Sequence, residues 1–273
     1  LEVTKAPSSV NVPDVTFVFA ESDTITVNTV NATDINAEVV DHSEANVVIN
    51  KISDDEYVVT VSGLDAGSYT LSVTTVTDDN HASKTNTSTV TVTKATSSIS
   101  LSDVEYYYLG SDTSKATTVN ATGVTNAYVV EHPEANVVVN GYEVTVSGLD
   151  AGSYTLSVTT VTDNNHSPAT ATAEVVVKAI PTSIKFNEDL VIIGNTLTFN
   201  TVNITIGQSV TLKSNNRNYS GTVNNNVATI VIGDAESGTF SASVSYAGNN
   251  NYIASTDDSS IKFIAPDSFT ALQ

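Results

Sequence analysis

Apolar and hydroxyl-bearing side chains alternate through residues 57–62, 69–76 and 88–93. A period of two turns one set toward a core and the other toward water, so each segment predicts a half-buried β-strand. Residues 63–68 read as the turn between the first two strands, and residues 78–84 as the loop between the second and third. Earlier strands are expected over residues 24–30, 37–40 and 47–50. No stretch carries a helical period of useful length. Six or seven short strands at turn spacings of about 8 to 12 residues predict a β-sandwich.

The pattern then repeats. Residues 59–81 return at 144–166 with one difference, Asp79 against Asn164. A third, diverged copy places Gly238-Thr239-Phe240 where Gly67-Ser68-Tyr69 stood, and Asn249-Asn250-Asn251-Tyr252 where Asp78-Asp79-Asn80-His81 stood. A spacing of about 85 residues exceeds the roughly 20 to 50 of a solenoid repeat and suits a small domain that buries its own core. Three domains are expected, at 6–93, 94–177 and 178–264. Val3-Thr4-Lys5-Ala6 matches Val92-Thr93-Lys94-Ala95, which closes the first repeat. Residues 1–5 therefore read as the end of a preceding repeat, and 265–273 as the start of a following region. Junctions this short predict limited flexing between neighbours.

Asp65-Ala66-Gly67-Ser68-Tyr69-Thr70-Leu71 leads from a turn into a strand and recurs with Asp150, Gly152, Tyr154 and Leu156. It resembles the tyrosine-corner entry to strand F of immunoglobulin domains. The resemblance implies that the Tyr69 hydroxyl bonds back to the backbone, and that Leu71 occupies the place of the strand-F cysteine. In the third copy Glu236, Gly238, Phe240 and Ala242 depart from the pattern, and Phe240 has no hydroxyl. Residues 244–256, with Tyr246, Gly248, Asn249, Asn251, Tyr252 and Ser255, resemble the signature of group 3 bacterial immunoglobulin-like domains, with Asn249 at the usual Asp position. Such domains are common in adhesin-like surface proteins of methanogenic archaea, and residues 266–273 resemble the opening of their β-helix regions. The fold class this implies is all-β: three tandem immunoglobulin-like β-sandwiches in an elongated array. The role it implies is a non-catalytic stalk or spacer of an extracellular, cell-surface adhesin, whose partners are other cells or surface glycans and proteins. Direct glycan or protein binding through the loops, with or without calcium, and a spacer of a surface hydrolase are the alternatives.

Charge narrows the partners. Thirty acidic residues against ten basic give a net charge of −20, shared as −11 over residues 1–93, −6 over 94–178 and −3 over 179–273. Such a surface repels phosphate backbones and anionic membranes, which argues against nucleic-acid binding and against membrane insertion. Self-repulsion favours a monomer. No apolar run approaches the roughly 20 residues of a membrane helix. With no cysteine, neither disulfides nor thiolate metal sites can form.

Little in the chain points to catalysis. Its four histidines, His42, His81, His132 and His166, fall at repeat-equivalent positions, and no phosphate loop or nucleophile elbow is present. No cofactor is expected. Calcium is the one candidate ion, with Asp78, Asp79 and Asp163 offering oxygen ligands in equivalent loops; Asp and Asn also serve plain turns by bonding the local backbone. A Lys–Asn isopeptide crosslink is a further candidate, although Lys94 and Lys178 at the junctions are expected to face solvent. N-glycosylation sequons occur at Asn31, Asn86, Asn120, Asn165, Asn203 and Asn218. In Tyr106-Tyr107-Tyr108, core packing of Tyr107 is expected, with its neighbours on the rim.

Overall fold

The computed structural model describes residues 3–187, 191–193, 195–232 and 238–264. The readings placed on residues 1–2, on Glu236 and on 265–273 lie outside them. In the first domain one sheet orders strands Ser9–Asn11, Ser22–Val30, Glu56–Ser62 and Asn46–Lys51. The facing sheet orders Val15–Val18, Thr85–Thr93, Gly67–Val76 and Asp34–Val39. Within these two sheets all pairs are antiparallel except Val15–Val18 with Thr85–Thr93, which run parallel, as does the separate short pair Ala6–Pro7 with His81–Ala82. The second domain repeats the order, with Ser98–Leu101, Ser111–Val119, Glu143–Ser147 and Asn136–Asn140 against Val104–Tyr107, Thr170–Lys178, Gly152–Val161 and Gly123–Val129. This is the ABED and CFG arrangement of an immunoglobulin sandwich, with Val15–Val18 or Val104–Tyr107 added as a parallel edge strand on the CFG sheet.

The alternation read in the sequence is the alternation of burial. Tyr57, Val59 and Val61 are fully buried along one strand, and Leu71, Val73 and Val90 meet them from the other sheet. Each such aliphatic side chain stabilises by about 1.5–3 kcal/mol on burial, and with no disulfide this packing holds the sheets together. Leu71 and Leu156 stand at the centre of their cores, both fully buried.

In the third domain the two sheets join. Ser209–Ser214 pairs with both Arg217–Asn224 and Gly238–Tyr246, so eight strands form one hydrogen-bonded sheet that folds over its core. Two Asn-Asn hairpin turns connect consecutive strands of this sheet: Asn215, Asn216, Asn225 and Asn226 all take positive φ. Turns with both central residues left-handed match the twist of the strands they connect.

Two expectations are corrected by the fold. The short strands Ser9–Asn11 and Val15–Val18 lie outside the segments predicted from periodicity. Tyr107 is 52% exposed, whereas Tyr106 is 6% exposed and in the core. A one-residue slip in register exchanges the faces, and Val104 and Tyr106 set the inward parity of that strand.

Successive domains are joined tightly. Thr93 ends a strand of the first domain, and Ala95 already pairs with His166 in the second, leaving Lys94 as the linker. Lys178 ends a strand of the second domain, and Ile180 bridges to Tyr252 in the third. Lys94 and Lys178 are both exposed, and Lys178 forms an ion pair with Glu105. No helix among the described residues is long and apolar enough to cross a membrane.

The tyrosine corner and the interdomain clasp as candidate functional site

The corner begins with Gly63, whose φ of +79° turns the chain between strands, as Gly148 does at +81°. Tyr69 then folds back so that its hydroxyl donates to the Asp65 carbonyl at 2.8 Å, and Tyr154 donates to Asp150 at the same distance. The ring lies over Gly67: a Cβ there would stand 3.1 Å from the Tyr69 hydroxyl, which explains the glycine two residues before each tyrosine. Burial pushes the Tyr69 and Tyr154 hydroxyls upward in pKa, helped by the Asp65 and Asp150 charges, so both remain donors at neutral pH. His42 packs edge-on against Tyr69, its ring centroid 4.7 Å away, and its Nδ1 lies 2.7 Å from Glu44. His132, Tyr154 and Glu134 repeat this group. Hydrogen bonds from these histidines hold Glu44 and Glu134 below the usual carboxylate range.

The loops carrying Asp78 and Asp163 are closed by their own side chains. Asp78 Oδ1 accepts from the Asn80 backbone N–H at 2.8 Å and lies 2.7 Å from His81 Nδ1. Asp163 does the same with Asn165 and His166. In the third domain Asn249 Oδ1 accepts from the N–H groups of Asn251 and Tyr252, so the turn forms with no carboxylate at all. Asp79 is exposed on the loop. Among the described residues no three His, Cys, Asp or Glu side chains gather closely enough to hold a metal ion.

The turns at Asp163 and Asn249 each present an asparagine to the preceding domain. Asn165 Oδ1 accepts from the Ala66 N–H at 2.8 Å, and its Nδ2 donates to Asp65 Oδ1 at 2.9 Å. One amide thus grips both groups that the tyrosine corner of the first domain holds out. At the second junction Asn251 grips Ala151 at 2.7 Å and Asp150 at 2.9 Å. An aromatic contact flanks each clasp: Phe19 meets His166 edge-on at 5.4 Å, and Tyr108 meets Tyr252 at 5.8 Å. Tyr108 is thus the third tyrosine of its run, half-buried at the domain boundary.

Two hydrogen bonds, one to a carboxylate, and an edge-on ring pair are together worth on the order of 2 kcal/mol at an exposed site. That closes each junction by roughly thirtyfold over its open form. A small interdomain contact ordinarily leaves neighbours free to move. Here the linker is a single residue, and the two-pronged amide adds a specific contact across each junction.

Sequence reasoning found the corner residues Asp65, Gly67, Tyr69, Asp150, Gly152 and Tyr154, but not what the corner serves. The clasp residues Asn165, Asn251, Ala66, Ala151, Phe19 and Tyr108 escaped it. Their signal was the asparagine kept at the third position of the loop in every copy, Asn80, Asn165 and Asn251, while the preceding residues vary. The sequon asparagines are engaged too. Asn31, Asn120 and Asn203 take positive φ and donate to the carbonyls of Pro7, Thr96 and Pro181. Asn86 donates to Val10, Asn165 sits in the clasp, and Asn218 is exposed.

No protein-family model matches the chain, and no curated protein matches it in sequence. Among solved structures it is similar to titin domains A168-A170, at 10% identity over 94% of this chain and 99% of that one, with a TM-score of 0.36. It is also similar to titin domains I67-I69 in an E-to-A mutated variant, at 13% identity over 96% and 99%, with a TM-score of 0.33. A third similarity is to domains 4-9 of surface layer protein SbsC, at 19% identity over 86% and 40%, with a TM-score of 0.27. With the paired sheet orders and the tyrosine corner both present twice, the chain is an array of tandem immunoglobulin-like domains.

Proposed function

We propose that this array is a non-catalytic stalk segment of a cell-surface adhesin, holding a more distal binding region away from the wall. One observation carries the reading: the same two-pronged asparagine clasp closes both junctions. A chain selected for reach needs each domain to hold the next in a set direction, and the sequence invests its most repeated segment in that contact. The acidic, self-repelling surface suits an extended extracellular particle. The resemblance of the third repeat to bacterial group 3 domains supports placement in an adhesin-like surface protein of archaeal type. In that setting other cells, or their glycans and proteins, are met through the parent protein.

Cell-surface display tests this. The full chain, displayed alone, is expected to confer no adherence. With a known binding head fused to its outer end, adherence should increase with the number of domains between head and wall. Adherence by the array alone would replace the stalk with a directly binding module.

A further inference from the structure

The first domain also carries the asparagine half of a clasp, in the turn after strand Gly67–Val76. We infer that the Asn80–His81 face is a docking surface for another immunoglobulin-like domain, one that presents an Asp-Ala tyrosine corner and a flanking aromatic ring. Its turn is already formed: Asn80 N–H donates to Asp78 Oδ1 at 2.8 Å and His81 Nδ1 lies 2.7 Å from the same oxygen. These are the distances at Asn165 and His166, which do dock. The incoming strand is also set in the same place. Ala6 N–H donates to the Asn80 carbonyl at 2.8 Å, as Ala95 does to Asn165 at 2.9 Å and Ile180 does to Asn251 at 2.8 Å.

What differs is cover. Asn165 and Asn251 are half-buried under their neighbours, whereas Asn80 is exposed and its side-chain amide meets no partner among the described residues. The His81 side chain is 28% exposed against 16% for His166, which lies under Phe19. The chemistry of the occupant follows from the face. An amide with one acceptor and two donors, beside a ring, fits a backbone N–H next to a carboxylate and an aromatic edge, as Ala66, Asp65 and Phe19 supply. The segment Val3-Thr4-Lys5-Ala6 repeats Val92-Thr93-Lys94-Ala95, so a domain joined through it would meet the face at the spacing of the first junction. The inference goes beyond the stalk reading and does not depend on it, because a clasp can join domains of any role.

The test extends the full chain with a copy of residues 6–91 placed directly ahead of Val3, which reproduces the natural junction. Amide hydrogen exchange is then followed at the alanine of the added corner, the counterpart of Ala66. That amide should exchange as slowly as Ala66 itself, and Asn80→Ala should speed it by about fivefold, as Asn165→Ala should for Ala66 in the same molecule. Core amides of the copy, the counterparts of Val73 and Val90, report that it has folded. If it does not fold, residues 94–176 joined in the same way repeat the experiment. An added corner that exchanges freely in a folded copy, or that ignores Asn80→Ala while Ala66 responds to Asn165→Ala, overturns the proposal.

Discussion

At the scale of single residues, the tyrosine corner and the clasp are one device. Asp65 offers its carbonyl to Tyr69 and its carboxylate to Asn165, while the adjoining Ala66 N–H points at the same amide. Removing the hydroxyl with Tyr69→Phe should lower stability by about 1 kcal/mol in denaturant unfolding, the net worth of a neutral hydrogen bond. Phe240 at the equivalent place shows that a ring without hydroxyl is tolerated. Asn165→Asp tests the other half. It swaps the amide donor for a second carboxylate beside Asp65, so exchange at the Ala66 amide should accelerate more than in Asn165→Ala, because like charges then face one another. Glycosylation belongs to this scale as well. Asn165 Nδ2 lies between two domains, so in a glycosylating host peptide mapping should find it unoccupied while the exposed Asn218 is accessible.

At the scale of elements, the loop after strand Gly67–Val76 is closed by hydrogen bonds from its own side chains. Asn249 performs with an amide what Asp78 and Asp163 perform with carboxylates. Asp163→Asn should therefore keep the turn, whereas Asp163→Ala should cost about 1 kcal/mol, read from urea midpoints. Calcium against chelator should leave the melting temperature unchanged. The acid limb is signed as well. Hydrogen bonds from His81 and His166 hold Asp78 and Asp163 below the ordinary carboxylate range. Folded-state values below the unfolded value of about 3.9 stabilise the native state above that pH, and the contribution is lost as pH falls through the folded values. Melting temperature should thus drop below about pH 4, and less steeply when Asp78 and Asp163 are both Asn.

Much at this scale was legible. Strands such as Glu56–Ser62 and Gly67–Val76 announced themselves because one face is core and the other is water, which writes a period of two into the sequence. Ser9–Asn11 and Val15–Val18 did not, being too short to show a period. Tyr107 was misplaced because three adjacent tyrosines carry no parity of their own. The clasp was invisible for a different reason. Asparagine after aspartate is what any tight turn uses, and only a partner 99 residues away distinguishes a gripping amide from a solvated one.

At the scale of the molecule, repetition and stiffness serve reach in the proposed stalk. Three sandwiches, each about 30 Å long, should give a rod on the order of 100 Å when joined end to end. The linkers alone do not guarantee this, since interdomain contacts of this size ordinarily allow motion. The clasps make the difference, and they can be removed without touching a core. The most direct measurement is small-angle X-ray scattering of the chain beside its Asn165→Ala/Asn251→Ala variant. The chain should give a rod-like profile with a longest dimension on the order of 100 Å, and the variant a broadened distance distribution from bent forms. A compact particle, or identical profiles from a chain already flexible with its clasps intact, would contradict this.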